Sequence, residues 1–224
     1  MKKLRTILKH DKKISISVFF PCYNDAFSIK ALVEDAFTVL QEITDNYEVI
    51  VIDDGSTDNS RTVFQKLSKK YQKLKLVFHE KNKGYGGVLQ NGFKTASKDL
   101  IFYTDGDGQY DINELPLLLV LMTDDVNFIN GIKMSRQDPT YRVVAGKFYS
   151  MISRWFFWLP IEDVDCDFRL IRKKLIEKIN LNNTSGSICI ELVKKAQRYG
   201  AKFRQVSVHH YERKWGSSQF FRPK

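Results

Sequence analysis

Two carboxylates set two residues apart, Asp105 and Asp107 in Leu100-Ile-Phe-Tyr-Thr-Asp105-Gly106-Asp107-Gly-Gln109-Tyr110-Asp111, have the type and spacing to hold a hard divalent cation. In extended backbone, residues i and i+2 project to the same side, so the two can converge on one ligand. Mg²⁺ or Mn²⁺ takes oxygen ligands, few of them from protein, and keeps positions for a diphosphate. The same residues also suit an Asp-Gly turn that binds nothing. The elements around the loop separate these readings.

Residues 100–104 are almost wholly apolar and read as a buried strand running into the acidic loop. Upstream, residues 14–20 form a strand closed by Pro21-Cys-Tyr23-Asn24-Asp25, a loop offering a cap for a helix over 27–43. Residues 47–52 form a second strand, apolar at nearly every position as a central parallel strand is. It leads through Asp53-Asp54-Gly55-Ser56-Thr57-Asp58 into a helix ending near residue 71. A third strand covers 75–78, and Lys81-Asn82-Lys83-Gly84-Tyr85-Gly86-Gly87 opens a helix over 88–96. Beyond the acidic loop come a helix over 114–122, a strand over 126–132, a helix over 187–199 and a strand over 203–210. In that last strand Val206, Val208 and His210 share the core-facing parity.

Repeated β-α-β units with short loops predict an α/β fold: a doubly wound, Rossmann-like, mostly parallel sheet with helices on both faces. Ligands of such sheets bind outside the carboxyl ends of the strands. That edge collects the loops at 21–25, 53–58 and 105–111. Core packing does not call for acids there, which favours the cation reading of Asp105 and Asp107. The Gly84 to Gly87 run lacks the G-x-G-x-x-G spacing of a dinucleotide fingerprint, and no G-K-[ST] occurs. It reads as a backbone approach to a ligand or as a plain helix-entry turn.

The 224 residues suffice for one large domain or two small ones, and 28% charged with 43% hydrophobic content excludes a disordered chain. A net charge of +10 favours anionic partners. The basic residues are spread out apart from a cluster at Lys2 to Lys13, with no nucleic-acid signature, so phosphates and membrane rank above nucleic acid. Cys22, Cys166 and Cys189 read as free thiols of a reducing compartment. Residues 1–13 carry no apolar signal core, and no window of about 18 apolar residues exists to span a bilayer. Residues 147–160 carry aromatics at nearly all helical angles, flanked by the basic Lys147 and Arg154. They suit an interfacial helix lying on a membrane, or a helix covering the sheet.

In order, Phe20-Pro21-Cys-Tyr23-Asn24, Val51-Ile-Asp53-Asp54-Gly55-Ser56-Thr57-Asp58, Asn82-Lys83-Gly84-Tyr85-Gly86-Gly87 and Asp105-Gly106-Asp107-Gly-Gln109 resemble the successive motifs of the family 2 glycosyltransferases. Asp163-Val-Asp165-Cys-Asp167-Phe168-Arg169-Leu-Ile-Arg172 and His210-Tyr211-Glu-Arg213-Lys-Trp-Gly216-Ser-Ser218 extend the resemblance to nearly the whole chain. The last two are similar to dolichyl- or undecaprenyl-phosphate sugar synthases. A Q-x-x-R-W motif of processive synthases is missing, which argues for transfer of a single sugar.

The resemblance implies a GT-A fold, a UDP- or GDP-linked sugar donor, a divalent metal and inversion at the anomeric carbon. It makes the chain a single domain with a basic extension (1–13), a nucleotide-binding half (14–104) and a metal-loop and acceptor half (105–224). Pro21, Tyr23, Asn24, Asp53, Asp54, Lys83, Gly84, Asp105 and Gly106 would hold the donor, with Asp105, Asp107 and Gln109 on the metal. A polyprenyl phosphate acceptor would meet Lys133, Arg136, Arg142, Arg169, His210, Arg213 and Ser218. Asp107, Asp163, Asp165, Asp167, Arg142 and Arg213 are the candidate catalytic groups. The resemblance places one of the three later aspartates near the acceptor and leaves the others to orient Arg169. Relatives acting on lipid carriers often continue into transmembrane helices, so this chain is expected to be peripheral on the cytoplasmic membrane face or to stop short of an anchor. A saccharide or glycan acceptor, a nucleotidyltransferase and a non-catalytic nucleotide-binding module are the competing readings, and self-association stays open.

Overall fold

The computed structural model describes residues 8, 14–134, 148, 151, 152 and 154–213. Its centre is one seven-stranded sheet in the order β3-β2-β1-β4-β6-β5-β7. The first half runs β1 (Ile16–Cys22), α1 (Ala26–Ile43), β2 (Tyr47–Asp53), α2 (Ser60–Lys70), β3 (Leu74–Phe78), α3 (Gly84–Thr95) and β4 (Leu100–Thr104). A 3-10 turn (Ile112–Glu114), α4 (Leu115–Leu119) and β5 (Phe128–Met134) follow. The chain closes with β6 (Phe168–Arg172), α5 (Lys173–Ile176), α6 (Ile188–Arg198) and β7 (Phe203–His209).

Strand parity splits the core in two. Val18, Phe20, Val49, Val51 and Phe102 pack with Ile29, Val33, Phe37 and Leu40 of α1 on one face. Their neighbours Phe19, Ile50, Ile52, Ile101 and Tyr103 pack with Val88, Leu89 and Phe93 of α3 and with Leu192 and Val193 of α6 on the other. Each central strand is buried on both faces, which is why it reads as a continuous apolar run. On α1 the buried positions recur at helical spacing, from Ile29 through Leu32, Val33, Ala36 and Phe37 to Leu40 and Ile43.

The pairing is parallel except at β6, which runs antiparallel to both β4 and β5. The sequence reading contains no strand there. Phe168–Arg172 mixes two arginines into a short apolar segment that follows no helix of a β-α-β unit.

Other boundaries move for local reasons. β1 does not end before Pro21 but runs through it to Cys22, with Pro21 opposite Ile52. Pairing with β4 stops at Phe19, and Cys22 O accepts Asp54 N on the β2 side at 2.8 Å. Alternate residues of a strand bond to opposite sides, so the N–H that Pro21 lacks is on the side where the ladder has ended. α3 begins at Gly84, so the glycine run is its first turn instead of a loop before it. The helix expected over 114–122 is a 3-10 turn followed by the short α4.

Candidate active site

β1 lies between β2 and β4, so the exits of the three strands meet at one edge of the sheet. Asn24, with φ of 54°, stitches the first two exits together. Its Oδ1 accepts Thr57 N at 2.8 Å and Asp58 N at 3.3 Å, while its own N–H donates to Ser56 Oγ at 2.9 Å. Asn tolerates this left-handed geometry better than most residues. The third exit packs under Pro21: a Cβ on Gly106 would stand 2.1 Å from Pro21 O, so only glycine lets the acidic loop cross there. Tyr23 is half-buried beside Asn24.

Asp105 is partly buried and accepts the Tyr85 phenol hydroxyl at 2.7 Å. Burial, with Asp167 and Asp107 close by, pushes its carboxyl well above the usual range, against the opposing influence of Tyr85 and Lys133. Asp107 Oδ1 accepts Gln109 N at 3.1 Å. Clustered carboxylates that destabilise one another's charge are what a divalent cation would bind. Among the described residues, no three or more His, Cys, Asp or Glu side chains form a metal cage. A cation that takes two carboxylates and fills its shell with phosphate and water does not need one.

Gln109, expected on the metal, ties both its side-chain amide and its backbone to the segment after β7. Its Nε2 donates to Tyr211 O at 2.9 Å and its O accepts Tyr211 N at 2.8 Å, with Tyr110 bridged to His210. The acidic loop is thereby strapped to the segment after β7. His210 has the core-facing parity expected of it, and that buries its ring edge-on against Tyr110 at 5.0 Å, which does not fit the acceptor contact expected of it. Arg213 returns to the site, its Nη2 paired with Asp25. Burial raises the Asp25 carboxyl, Arg213 and Ser28 oppose this, and Asp107 adds to it, which puts all these groups within electrostatic reach. Asp25 occupies the N-cap position of α1 without making the capping bond; its carboxylate accepts Ser28 Oγ instead.

Asp53 and Asp54 are both buried, with side-chain partners from their own chain. Asp53 accepts Arg61 Nε at 3.0 Å and Ser56 N at 3.3 Å. Asp54 accepts His79 Nδ1 at 2.6 Å, Lys83 N at 2.8 Å and Gly84 N at 3.1 Å. Asp54 therefore organises the start of α3, and the Lys83 and Gly84 amides serve Asp54 in place of a donor. The other arm of this network, Asn91 Nδ2 on His79 Nε2, fixes α3 to the end of β3.

The three later aspartates separate cleanly. Asp167 is buried beside Tyr103 OH at 3.1 Å and Arg169 Nη1 at 3.3 Å. Asp163 is buried and accepts Lys133 N at 3.2 Å. Asp165 is exposed, with Lys133 Nζ at 3.1 Å. The acceptor role expected of Arg169 does not fit its position. It is fully buried, donating to Asn130 Oδ1, Tyr103 OH and Val164 O. Arg136, Arg142 and Ser218 lie outside the described residues, as do Lys147 and parts of 147–160.

Sequence reasoning missed Tyr85, Arg61 and His79. His79 directly follows β3 at the ligand edge, a positional signal available beforehand. Tyr85 and Arg61 carry no such signal, because their partners are set by how α2 and α3 pack.

The chain is 26% identical over 211 residues to an undecaprenyl-phosphate 4-deoxy-4-formamido-L-arabinose transferase of Yersinia enterocolitica, covering 94% of this chain and 64% of that protein. A Serratia proteamaculans protein of the same description is 28% identical over 206 residues, 92% of this chain and 62% of its own. The chain thus spans less than two thirds of these relatives. Its fold matches glucosyl-3-phosphoglycerate synthase of Mycobacterium tuberculosis, solved with Mn²⁺, UDP and glucosyl-3-phosphoglycerate, at a TM-score of 0.67 and 18% identity, over 90% of this chain and 73% of that one. It matches a Pyrobaculum calidifontis mannosyltransferase, solved with GDP-Man and Mn²⁺, at 0.67 and 16%, over 96% and 64%. The fold is therefore that of the GT-A glycosyltransferases. Residues 17–180 match the model of glycosyl transferase family 2, and the chain belongs to that family.

Proposed function

We propose that this chain is an inverting, metal-dependent glycosyltransferase that moves one sugar from a UDP- or GDP-linked donor to a polyprenyl phosphate. One observation carries the reading: the Asp105 and Asp107 pair at the end of β4, beside the exits of β1 and β2 and within electrostatic reach of Lys133. The undecaprenyl-phosphate transferases aligned over nearly the whole chain support the acceptor class. The whole chain then serves as one GT-A catalytic domain, and self-association is left open.

A Mg²⁺ or Mn²⁺ held by Asp105 and Asp107 would supply positive charge against the donor diphosphate. The loops at 21–24 and 82–87, with Asp53, border the nucleoside. An acceptor phosphate oxygen is ionised at neutral pH and attacks the anomeric carbon without a strong base. Its bond to that carbon forms as the carbon–oxygen bond to the diphosphate breaks, which inverts the centre. Lys133, between Asp165 and Asp105, and Arg213, beside Asp25, are the described cations placed to steer the acceptor.

Met151, Ile152, Trp155, Phe156 and Trp158 are exposed, which supports peripheral contact with the cytoplasmic membrane face. Among the described residues no helix is long and apolar enough to cross a membrane.

The test is transfer of radiolabelled sugar from UDP- and GDP-sugars to undecaprenyl phosphate with Mn²⁺. Label should enter the lipid phase and be lost with EDTA and in Asp107→Ala. Label appearing only on a water-soluble saccharide would point to a hydroxyl acceptor, with the exposed Asp165 as the base. No nucleotide release from any donor, together with unchanged nucleotide binding in Asp107→Ala, overturns the enzyme reading.

A further inference from the structure

We infer that Tyr85 is a positioning residue for the metal carboxylate Asp105, an inference that rests on the metal-dependent transfer proposed above. The Tyr85 hydroxyl donates to Asp105 Oδ1 at 2.7 Å and leaves Oδ2 outside that bond. A carboxylate with one oxygen tied to a fixed donor keeps its orientation, and a fixed ligand holds a cation more tightly. Without that donor, Asp105 would face Asp107 and Asp167 with Lys133 as its opposing influence, free to turn away from like charges.

The donor is fixed because the turn that carries it is clamped from two sides. On one side, Asp54 accepts Lys83 N and Gly84 N at 2.8 and 3.1 Å, and His79 ties Asp54 to Asn91 one helical stretch further along α3. On the other, Gly86 N donates to Thr184 O at 2.8 Å. A Cβ on Gly84 would stand 2.5 Å from Thr184 O, and one on Gly86 2.2 Å from Asn183 O. The glycines on either side of Tyr85 thus let the 183–184 backbone press against the turn. The Tyr85 hydroxyl joins the nucleotide-side turn to the proposed metal loop, 20 residues further along the sequence.

Tyr85→Phe keeps the ring and removes the hydroxyl. Free Mn²⁺ measured by electron paramagnetic resonance, with UDP or GDP present, should show the dissociation constant rising about tenfold to a hundredfold, as for other residues that orient a metal ligand. Saturating Mn²⁺ should restore most of the transfer rate, nucleotide binding in EDTA should be unchanged, and the thermal midpoint should stay close to wild type. A Mn²⁺ affinity within twofold of wild type overturns the inference while leaving the transferase reading intact. A wild type that takes up no Mn²⁺ with either nucleotide overturns the metal reading, and this inference with it.

Discussion

Arg169→Met removes a guanidinium while keeping much of the side chain's apolar bulk. In the folded protein Arg169 is fully buried and donates to Asn130 Oδ1 at 2.8 Å, Tyr103 OH at 2.8 Å and Val164 O at 2.6 Å, with Asp167 Oδ1 at 3.3 Å. The substitution strands three acceptors and leaves the buried Asp167 carboxylate facing a thioether. An orphaned buried acceptor costs about 1–3 kcal/mol. Breaking a buried ion pair from one side costs about 3–5 kcal/mol. The two costs describe overlapping groups and do not add, so the expected loss is about 3–5 kcal/mol, a large share of the roughly 5–15 kcal/mol that holds a typical domain together. Urea unfolding at neutral pH, followed by circular dichroism, reads it as a lower midpoint at unchanged slope. Arg169→Met combined with Asp167→Asn should recover part of the loss, since a neutral amide replaces the stranded charge. A loss below about 0.5 kcal/mol, the range of ordinary surface substitutions, would refute the reasoning. With a raised acceptor KM, that result would return Arg169 to the acceptor-binding role read from the sequence.

Glu48 tests the same packing through pH. Burial raises its carboxyl, but Lys75, Ser17 and Ser97 outweigh this and hold it at about 2, against 4.5 for the free group. A group depressed in the folded state stabilises it fully above pH 4.5 and loses that contribution as pH falls toward about 2. Glu48→Gln should flatten the stability curve across that window by about 1–2 kcal/mol, a figure reduced for solvent screening at the half-exposed Lys75. Gly86→Ala should cost about 1–3 kcal/mol in urea unfolding, because its Cβ meets backbone and cannot be accommodated by a rotamer. Gly200→Ala, with open space around it but φ of 73°, should cost about 1 kcal/mol by the same measurement. Cys22, Cys166 and Cys189 are buried, and burial raises all three thiols, Cys166 to about 12. A disulfide thiol reagent at pH 8 should find none of them in the native protein and all three in denaturant.

What the sequence by itself determined is the alternation of strands and helices in the first half and the edge of the sheet at which the acidic loops gather. Those follow from local properties: the apolar run of β2, the helical spacing of α1, and acids placed just past strand ends. The tertiary structure alone decided which of those polar residues are buried with partners inside the fold and which stay at the open edge of the sheet. Arg169 and Asp167 sit in a motif that reads as catalytic, yet the antiparallel insertion of β6 between β4 and β5 buries the Arg169 guanidinium against Asn130 and Tyr103, 39 and 66 residues away in the chain. The Gly84 to Gly87 run reads as a loop by propensity, yet it forms the first turn of α3, and the glycines at 84 and 86 leave the space that the 183–184 backbone occupies. Tyr85 carries no signal of its own until α3 is clamped beside β4. Residue type and short-range spacing set what a segment can become. A buried polar group must instead find its partner among elements distant in sequence, and that pairing exists only once the sheet is assembled.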